Sequence, residues 1–363
     1  MNRVLLAGVV GAIAGVAIAA CTVDREGAPC DTDDNCPRSQ YCDLTNKCVE
    51  LKPPPDAPTA CQLVLVSVSQ KLSACLGGSV KDWQAGILPD QICGAYNGGV
   101  TAGRLGYVGA KLKQCRASVL DMDCADLGTR KPGQFLAQCE MYTGTVAPAA
   151  SCATDKDCTA GWCDTTIGCP GACRAFVSEN VACTGTDVCT PGTACTNGTC
   201  KRYITGGACG DADAGQCQPF SHYCSGGQCV PRQPEGTPNC DPLNSFCQGN
   251  LACVGSAFGT KICQHGAALD APCPANSNAC DRFTYCQQRN GANFCTELPG
   301  PGGGCFLSPP AGAQDAILYC NGARCNGISC VNYIALGAAC NDTPSCGPLA
   351  RCVGGVCRAE FCP

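Results

Sequence analysis

The stretch CDTDDNCPRSQYCDLTNKC, residues 30–48, decides how this chain is built. Its four cysteines, Cys30, Cys36, Cys42 and Cys48, are separated by gaps of five residues filled with Asp, Asn, Thr, Ser and Pro. Short polar side chains of this kind hydrogen-bond their own backbone, and proline fixes φ in advance, so the gaps are turns. No apolar period of a core helix or strand runs through the stretch. So short a segment buries too little apolar surface to stay folded unaided, and disulfides must hold it.

The pattern recurs along the chain. Quartets follow at Cys152, Cys158, Cys163 and Cys169, then at Cys183, Cys189, Cys195 and Cys200. Further quartets are 209-217-224-229, 240-247-253-263, 273-280-286-295 and 305-320-325-330, and the last is Cys340, Cys346, Cys352 and Cys357. The seven that begin at 152, 183, 209, 240, 273, 305 and 340 repeat every 26–35 residues, which marks a tandem array. An aromatic residue precedes the third cysteine in four modules: Tyr41, Trp162, Tyr223 and Tyr285. It is expected to cover the disulfide pair. In all, 41 of the 363 residues are cysteine, beside 45 glycines and 25 prolines. That density marks a disulfide scaffold folded in an oxidising compartment. Each bridge across about twelve residues contributes about 3 kcal/mol, so reducing both bridges of a module should unfold it. Cys173 and Cys362 stand outside the quartets, as do Cys21 and six cysteines at 61–139.

Between the first module and the array the texture changes. Residues 51–58 form a Pro-rich linker, expected to be polyproline II. In 59–148, Cys61, Val64, Leu65, Val68, Leu72, Cys75 and Leu76 fall on one helical face, and Gly77-Gly78 is the stop. Val108, Leu112, Cys115 and Val119 repeat that spacing. Pro132 suits a first helical turn before Phe135, Leu136 and Cys139. The reading is a domain of three or four helices stapled by its six cysteines; the run LVLVSV could alternatively be a strand.

Residues 1–20 carry one positive charge and then an apolar run from Val4 to Ala20, the form of an export signal. The run is short for a transmembrane anchor, and no later segment suggests one. It ends Ile18-Ala19-Ala20-Cys21, which resembles the bacterial lipobox. The resemblance implies cleavage before Cys21 and acylation of that residue; Thr22 in the next position implies the outer membrane. Parity agrees, because 41 cysteines cannot all pair.

The mature chain resembles a group of cysteine-rich bacterial lipoproteins with a helical cysteine domain and tandem four-cysteine modules. The residues carrying this are a polar turn before the second cysteine, Asp155-Lys156-Asp157-Cys158, and the aromatic pair Trp162-Cys163. Single modules are also similar to the Dickkopf N-terminal cysteine-rich region. Interlocked small modules of this sort join first to third and second to fourth cysteine. Four cysteines allow three connectivities, and spacing does not choose among them.

Known chemistries find little footing. No C-x2-C pair occurs, and His222 and His265 lack ligand-spaced partners. The acidic sets Asp31/Asp33/Asp34, Asp155/Asp157 and Asp211/Asp213 read as solvated turn caps, with calcium the alternative. There is no G-x-S-x-G elbow, Walker loop or G-x-G-x-x-G. Arg104, Lys111, Lys113 and Arg116 read as a solvated helix face. The sequons at Asn197 and Asn341 read as chance in a bacterial protein. A net charge of −5 speaks against nucleic acid.

The expected fold class is a small disulfide-rich modular protein, mostly loops and short β-hairpins, with one small α-helical disulfide-stapled domain. The expected regions are 1–20 signal, 21–50 first module, 51–58 linker, 59–148 helical domain and 149–363 seven tandem modules. The expected function is a non-enzymatic, lipid-anchored envelope scaffold without cofactor or metal. Its partners would be the membrane, through acyl chains on Cys21, and a protein or glycan ligand, with no small-molecule substrate. Two alternatives are a peptidase inhibitor presenting a rigid loop, the longest at 305–320, and an enzyme in the helical domain using Glu140, Asp121 or Asp126.

Overall fold

The structure is a computed structural model. It describes residues 27–363 apart from 125–135, 137–138, 167, 185–186, 211–215, 220, 241–246, 250, 256–259, 274–279, 282, 304, 306–319, 321–322, 327–328, 342–345, 348–349, 354, 360 and 363. Short antiparallel strand pairs and four α-helices make up the regular structure of these residues, and the chain divides into two compact units, one through Leu51 and one from Lys52. It is a disulfide-rich modular protein of the expected class.

The first unit shows the module plan. Thr32 precedes a short 3-10 turn, Asp33–Asn35, and a hairpin follows, β1 (Gln40–Cys42) with β2 (Cys48–Glu50). Cys42 and Cys48 are direct cross-strand partners. Such neighbours point to the same face of a hairpin. They do not bond to each other: Cys30 bonds Cys42 and Cys36 bonds Cys48. The chain ahead of the hairpin crosses that shared face and delivers the first two cysteines over the last two.

Every later module whose two bridges are described repeats this pairing, with Cα atoms 5.4–5.9 Å apart. Two-residue loops with positive φ at both positions close the hairpins at Asn197-Gly198, Gly226-Gly227 and Asn290-Gly291. That is the turn whose twist matches antiparallel strands.

Each module also begins earlier than its first cysteine. The amide of the fourth cysteine donates to a carbonyl two residues before the first: Cys48 to Ala28, Cys200 to Val181, Cys295 to Ala271 and Cys357 to Ala338. The residue before that carbonyl has positive φ and returns a hydrogen bond to the fourth cysteine's carbonyl, at Gly27, Asn180, Asp270 and Gly337. Further upstream, Val146, Val177, Ile204, Gln233 and Ala267 form parallel bridges with the second cysteines of modules two to six. The repeat thus starts about six residues ahead of where the cysteines alone place it.

The quartet at Cys152 differs from its expected membership. Cys152 bonds Cys163, but Cys158 bonds Cys173 rather than Cys169. Cys173 is the direct partner of Cys163 across β3 (Trp162–Asp164) and β4 (Gly171–Arg174), so it holds the fourth place. Cys169 lies in the loop before β4 and bonds Cys362, 193 residues away. The two supposed extras are therefore structural: one completes a module, and the other closes the array onto it.

The helical domain comprises α1 (Ala57–Leu76), α2 (Val80–Ile87), α3 (Pro89–Thr101) and α4 (Leu112–Leu120), with a small sheet formed by Leu105–Tyr107 and Tyr142–Gly144. LVLVSV is helical. Asp56 caps α1, its carboxylate accepting from Thr59 N at 3.0 Å, which places the helix start inside the segment expected to be linker. Gly77 and Gly78, at φ 75° and 81°, end it where expected. Val108 is exposed and lies ahead of α4 rather than on it. Pro132 and Phe135 lie outside the described residues; Leu136 and Cys139 are fully buried. The staples are Cys61–Cys93, Cys75–Cys124 and Cys115–Cys139. Helix α1 is long and apolar enough to cross a membrane, but 61% of its most apolar window is buried within the protein. Its hydropathy is that of a core helix ringed by α2, α3 and α4.

Later modules pack onto these helices. Gly249 abuts the Cys75 carbonyl so closely that a Cβ there would overlap it. Asp281 accepts from Gly78 N at 3.1 Å, and Phe283 meets Trp83 edge-on at 5.0 Å between ring centres. Modules five and six are therefore docked on the helical domain, not strung out as independent beads.

Candidate functional site: the seam on the second module

The most heavily built polar site lies where the helical domain meets the turn before Cys158. Asp157 is completely buried. Its carboxylate accepts from Ala153 N at 2.7 Å, Thr154 N at 3.3 Å, Thr154 Oγ1 at 3.1 Å and Arg104 Nε at 2.9 Å. A buried carboxylate is tolerated only with this degree of satisfaction. A Cβ at Gly99 of α3 would crowd both Asp157 Oδ1 and the Leu105 side chain, and Gly144 packs on the backbone of 156–158 so closely that a side chain there would collide with three carbonyls.

Three tyrosines continue the seam. Tyr142 donates to Ala57 O at 2.7 Å and Tyr107 to Pro55 O at 2.5 Å. Tyr142 meets Tyr96 edge-on, with ring centres 5.0 Å apart, and Tyr107 at a tilt, 5.5 Å apart. Burial pushes the Tyr96 phenol well above its ordinary range, and the nearby charges of Asp155 and Asp157 add to the shift. Burial raises Tyr142 likewise. These groups stay neutral and bonded; the arrangement holds surfaces together rather than activating a proton.

The acidic turns act as caps, but not all are solvated. Asp33 Oδ1 accepts from Cys42 N and Asp155 Oδ1 from Cys163 N, each at 2.8 Å. In both modules a carboxylate thus ties the turn to the hairpin. The expectation of a solvated cap fails for Asp157, which is inside. It fails equally for part of the basic cluster. Arg116 is only 3% exposed and donates to Ser67 Oγ at 3.0 Å, while Arg104 serves Asp157. Lys111 does lie at the surface, paired with Glu140 at 2.9 Å; that bond and charge hold the Glu140 carboxyl below the usual range. Asp121 caps the end of α4.

His222 and His265 sit on strands of different modules, and His222 Nδ1 lies 2.9 Å from Ser221 Oγ. Cysteine sulfurs gather within 4.8 Å of one another in modules one to five, as a metal site would require. Those sulfurs are already joined in disulfides, which leaves no thiolates to bind an ion. Cys21, Asp211, Asp213, Asp126 and the interior of the 305–320 loop lie outside the described residues.

The quartets at Cys30, Cys183 and Cys340 assemble as expected. Reasoning from sequence missed the lead-in residues, although Gly, Asn or Asp three places before the first cysteine was a readable signal. It missed the seam because Arg104 and Asp157 come from different domains.

No family model, curated protein or solved structure matches the chain. Its modular, disulfide-stapled architecture therefore stands on its own geometry: a rigid scaffold suited to an oxidising extracellular or envelope setting.

Proposed function

We propose that this protein is a non-enzymatic scaffold of the bacterial cell envelope, anchored through acyl chains on Cys21 and offering module surfaces to a protein or glycan ligand. The single observation that carries the reading is how completely the cysteines are consumed. Every cysteine from Cys30 onward whose side chain is described is disulfide-bonded. The total is odd; the described bridges account for every cysteine from Cys30 onward except Cys305 and Cys325, which the repeat spacing places together in the seventh module. Cys21 follows the lipobox-like Ile18-Ala19-Ala20, so an acyl chain gives it a separate use. Two or three chains suffice for stable anchoring. Polar groups at the seam are spent on docking, which supports a structural rather than catalytic role.

Mass spectrometry of the mature amino terminus tests the anchor. Acylated Cys21, lost on treatment with globomycin, is the expected result; an unmodified amino terminus overturns it. Labelling of intact cells with a membrane-impermeant reagent, followed by capture of bound partners, tests the scaffold role.

A further inference from the structure

The bridge Cys169–Cys362 differs from all the other described disulfides in two respects and shares a third with one of them. It spans 193 residues, whereas the other described bridges span 10–49. It belongs to neither the module plan nor the helical staples. And Cys169 is exposed; among described cysteines only Cys224 shares that exposure. The Cys224 bridge, to Cys209, lies inside a module that a second bridge, Cys217–Cys229, also holds. Among the described disulfides, no second bridge joins the C-terminal segment to the second module. Among the described residues, Cys362 N donates to Ala153 O at 2.7 Å and Phe361 is buried.

We propose that Cys169–Cys362 is a thiol-exchange site, a latch opened by an external dithiol while the modules stay oxidised. Thiol–disulfide exchange needs in-line approach of a thiolate to one sulfur, so access selects the bond. The attacking thiolate of the dithiol bonds Cys169 Sγ, and the electron pair of the broken S–S bond leaves on Cys362 Sγ, which takes up a proton. The second thiol of the reagent then attacks the mixed disulfide, and Cys169 departs as a thiol. The dithiol is oxidised to its disulfide; Cys169 and Cys362 are reduced. The consequence is local: residues 361–362 are freed from the second module, and the array loses its covalent closure. The inference does not depend on the anchor at Cys21.

Graded reduction of the native, full-length protein with dithiothreitol, trapped by alkylation and mapped by mass spectrometry, tests the site. Cys169 and Cys362 should be labelled at least tenfold faster than any other cysteine. Faster or equal labelling of Cys209 and Cys224, or simultaneous labelling of all cysteines, overturns it. The double variant Cys169→Ser, Cys362→Ser gives the second arm. Its amide exchange should rise at position 362, whose N–H donates to Ala153 O, and stay unchanged in the hairpins at 193–202 and 222–231. Unaltered protection at the C-terminal residues would overturn the latch. If the variant fails to accumulate, the wild-type reduction series decides alone.

Discussion

Arg104 Nε lies 2.9 Å from Asp157 Oδ2, and the two partners are unequally placed: the arginine side chain keeps 30% of its exposure, the aspartate none. One partner can return to water when the pair is broken; the other cannot. Removing Arg104 therefore leaves Asp157 its three local donors, whereas removing Asp157 strips the turn before Cys158 of its bonds.

The Arg104→Met variant should cost about 1–2 kcal/mol, the net value of one charge-assisted bond. Asp157→Ala should cost about 3–4 kcal/mol, since it breaks a buried pair and orphans several donors. Urea unfolding of the two single variants and the double variant measures the coupling. A double variant no worse than Asp157→Ala shows that the arginine acts through this carboxylate.

Gly249→Ala places a methyl group where the Cys75 carbonyl already stands. The obstacle is backbone, so it cannot rotate away. We expect a loss of about 1–3 kcal/mol, typical of overpacking, with exchange rising in the fifth module and at the end of α1. Gly94→Ala, where a Cβ meets nothing within 4 Å, is the control and should leave stability near wild type or slightly above it.

Tyr96 and Tyr142 have phenols raised above their ordinary value by burial. A group whose folded value lies above its unfolded one stabilises the fold at pH below the unfolded value, about 10. That contribution is lost as pH climbs towards the folded value. Stability of the helical domain should thus fall steadily above pH 10. Ultraviolet titration should show the tyrosinate signal of these two residues only alongside loss of helical circular dichroism. Early ionisation with the helices intact would contradict this.

Asp56 caps α1, and its hydrogen bonds to Thr59 hold the carboxyl below the ordinary value. Here the sign is reversed: the stabilisation is present above the unfolded value and fades as pH falls through the folded one. Asp56→Ala should cost about 1 kcal/mol at pH 7. The gap between wild type and variant should close near pH 2, as measured by denaturant unfolding at both pH values.

The sequence by itself made legible the repeating modules, a helical face from Cys61 to Leu76 with its stop at Gly77-Gly78, and an oxidising setting, because each rests on residues close together in the chain. Cysteine gaps of five or so residues and turn-forming side chains dictate a small hairpin wherever they occur. An apolar period ended by Gly77-Gly78 dictates α1. Pairing within a module was left among three choices. Tertiary structure made that choice, by laying the first two cysteines over the face that the last two share. It also decided that Cys173, not Cys169, completes the second module: both lie within reach of Cys158 along the chain, and only Cys173 stands opposite Cys163. Burial of Arg116, the docking of Phe283 on Trp83 and the bridge from Cys169 to Cys362 arise from contacts between segments 49 to 200 residues apart. Spacing carries no record of such contacts. They depend on how the folded pieces fit, and that fit is what turns a string of stapled turns into a closed, docked array.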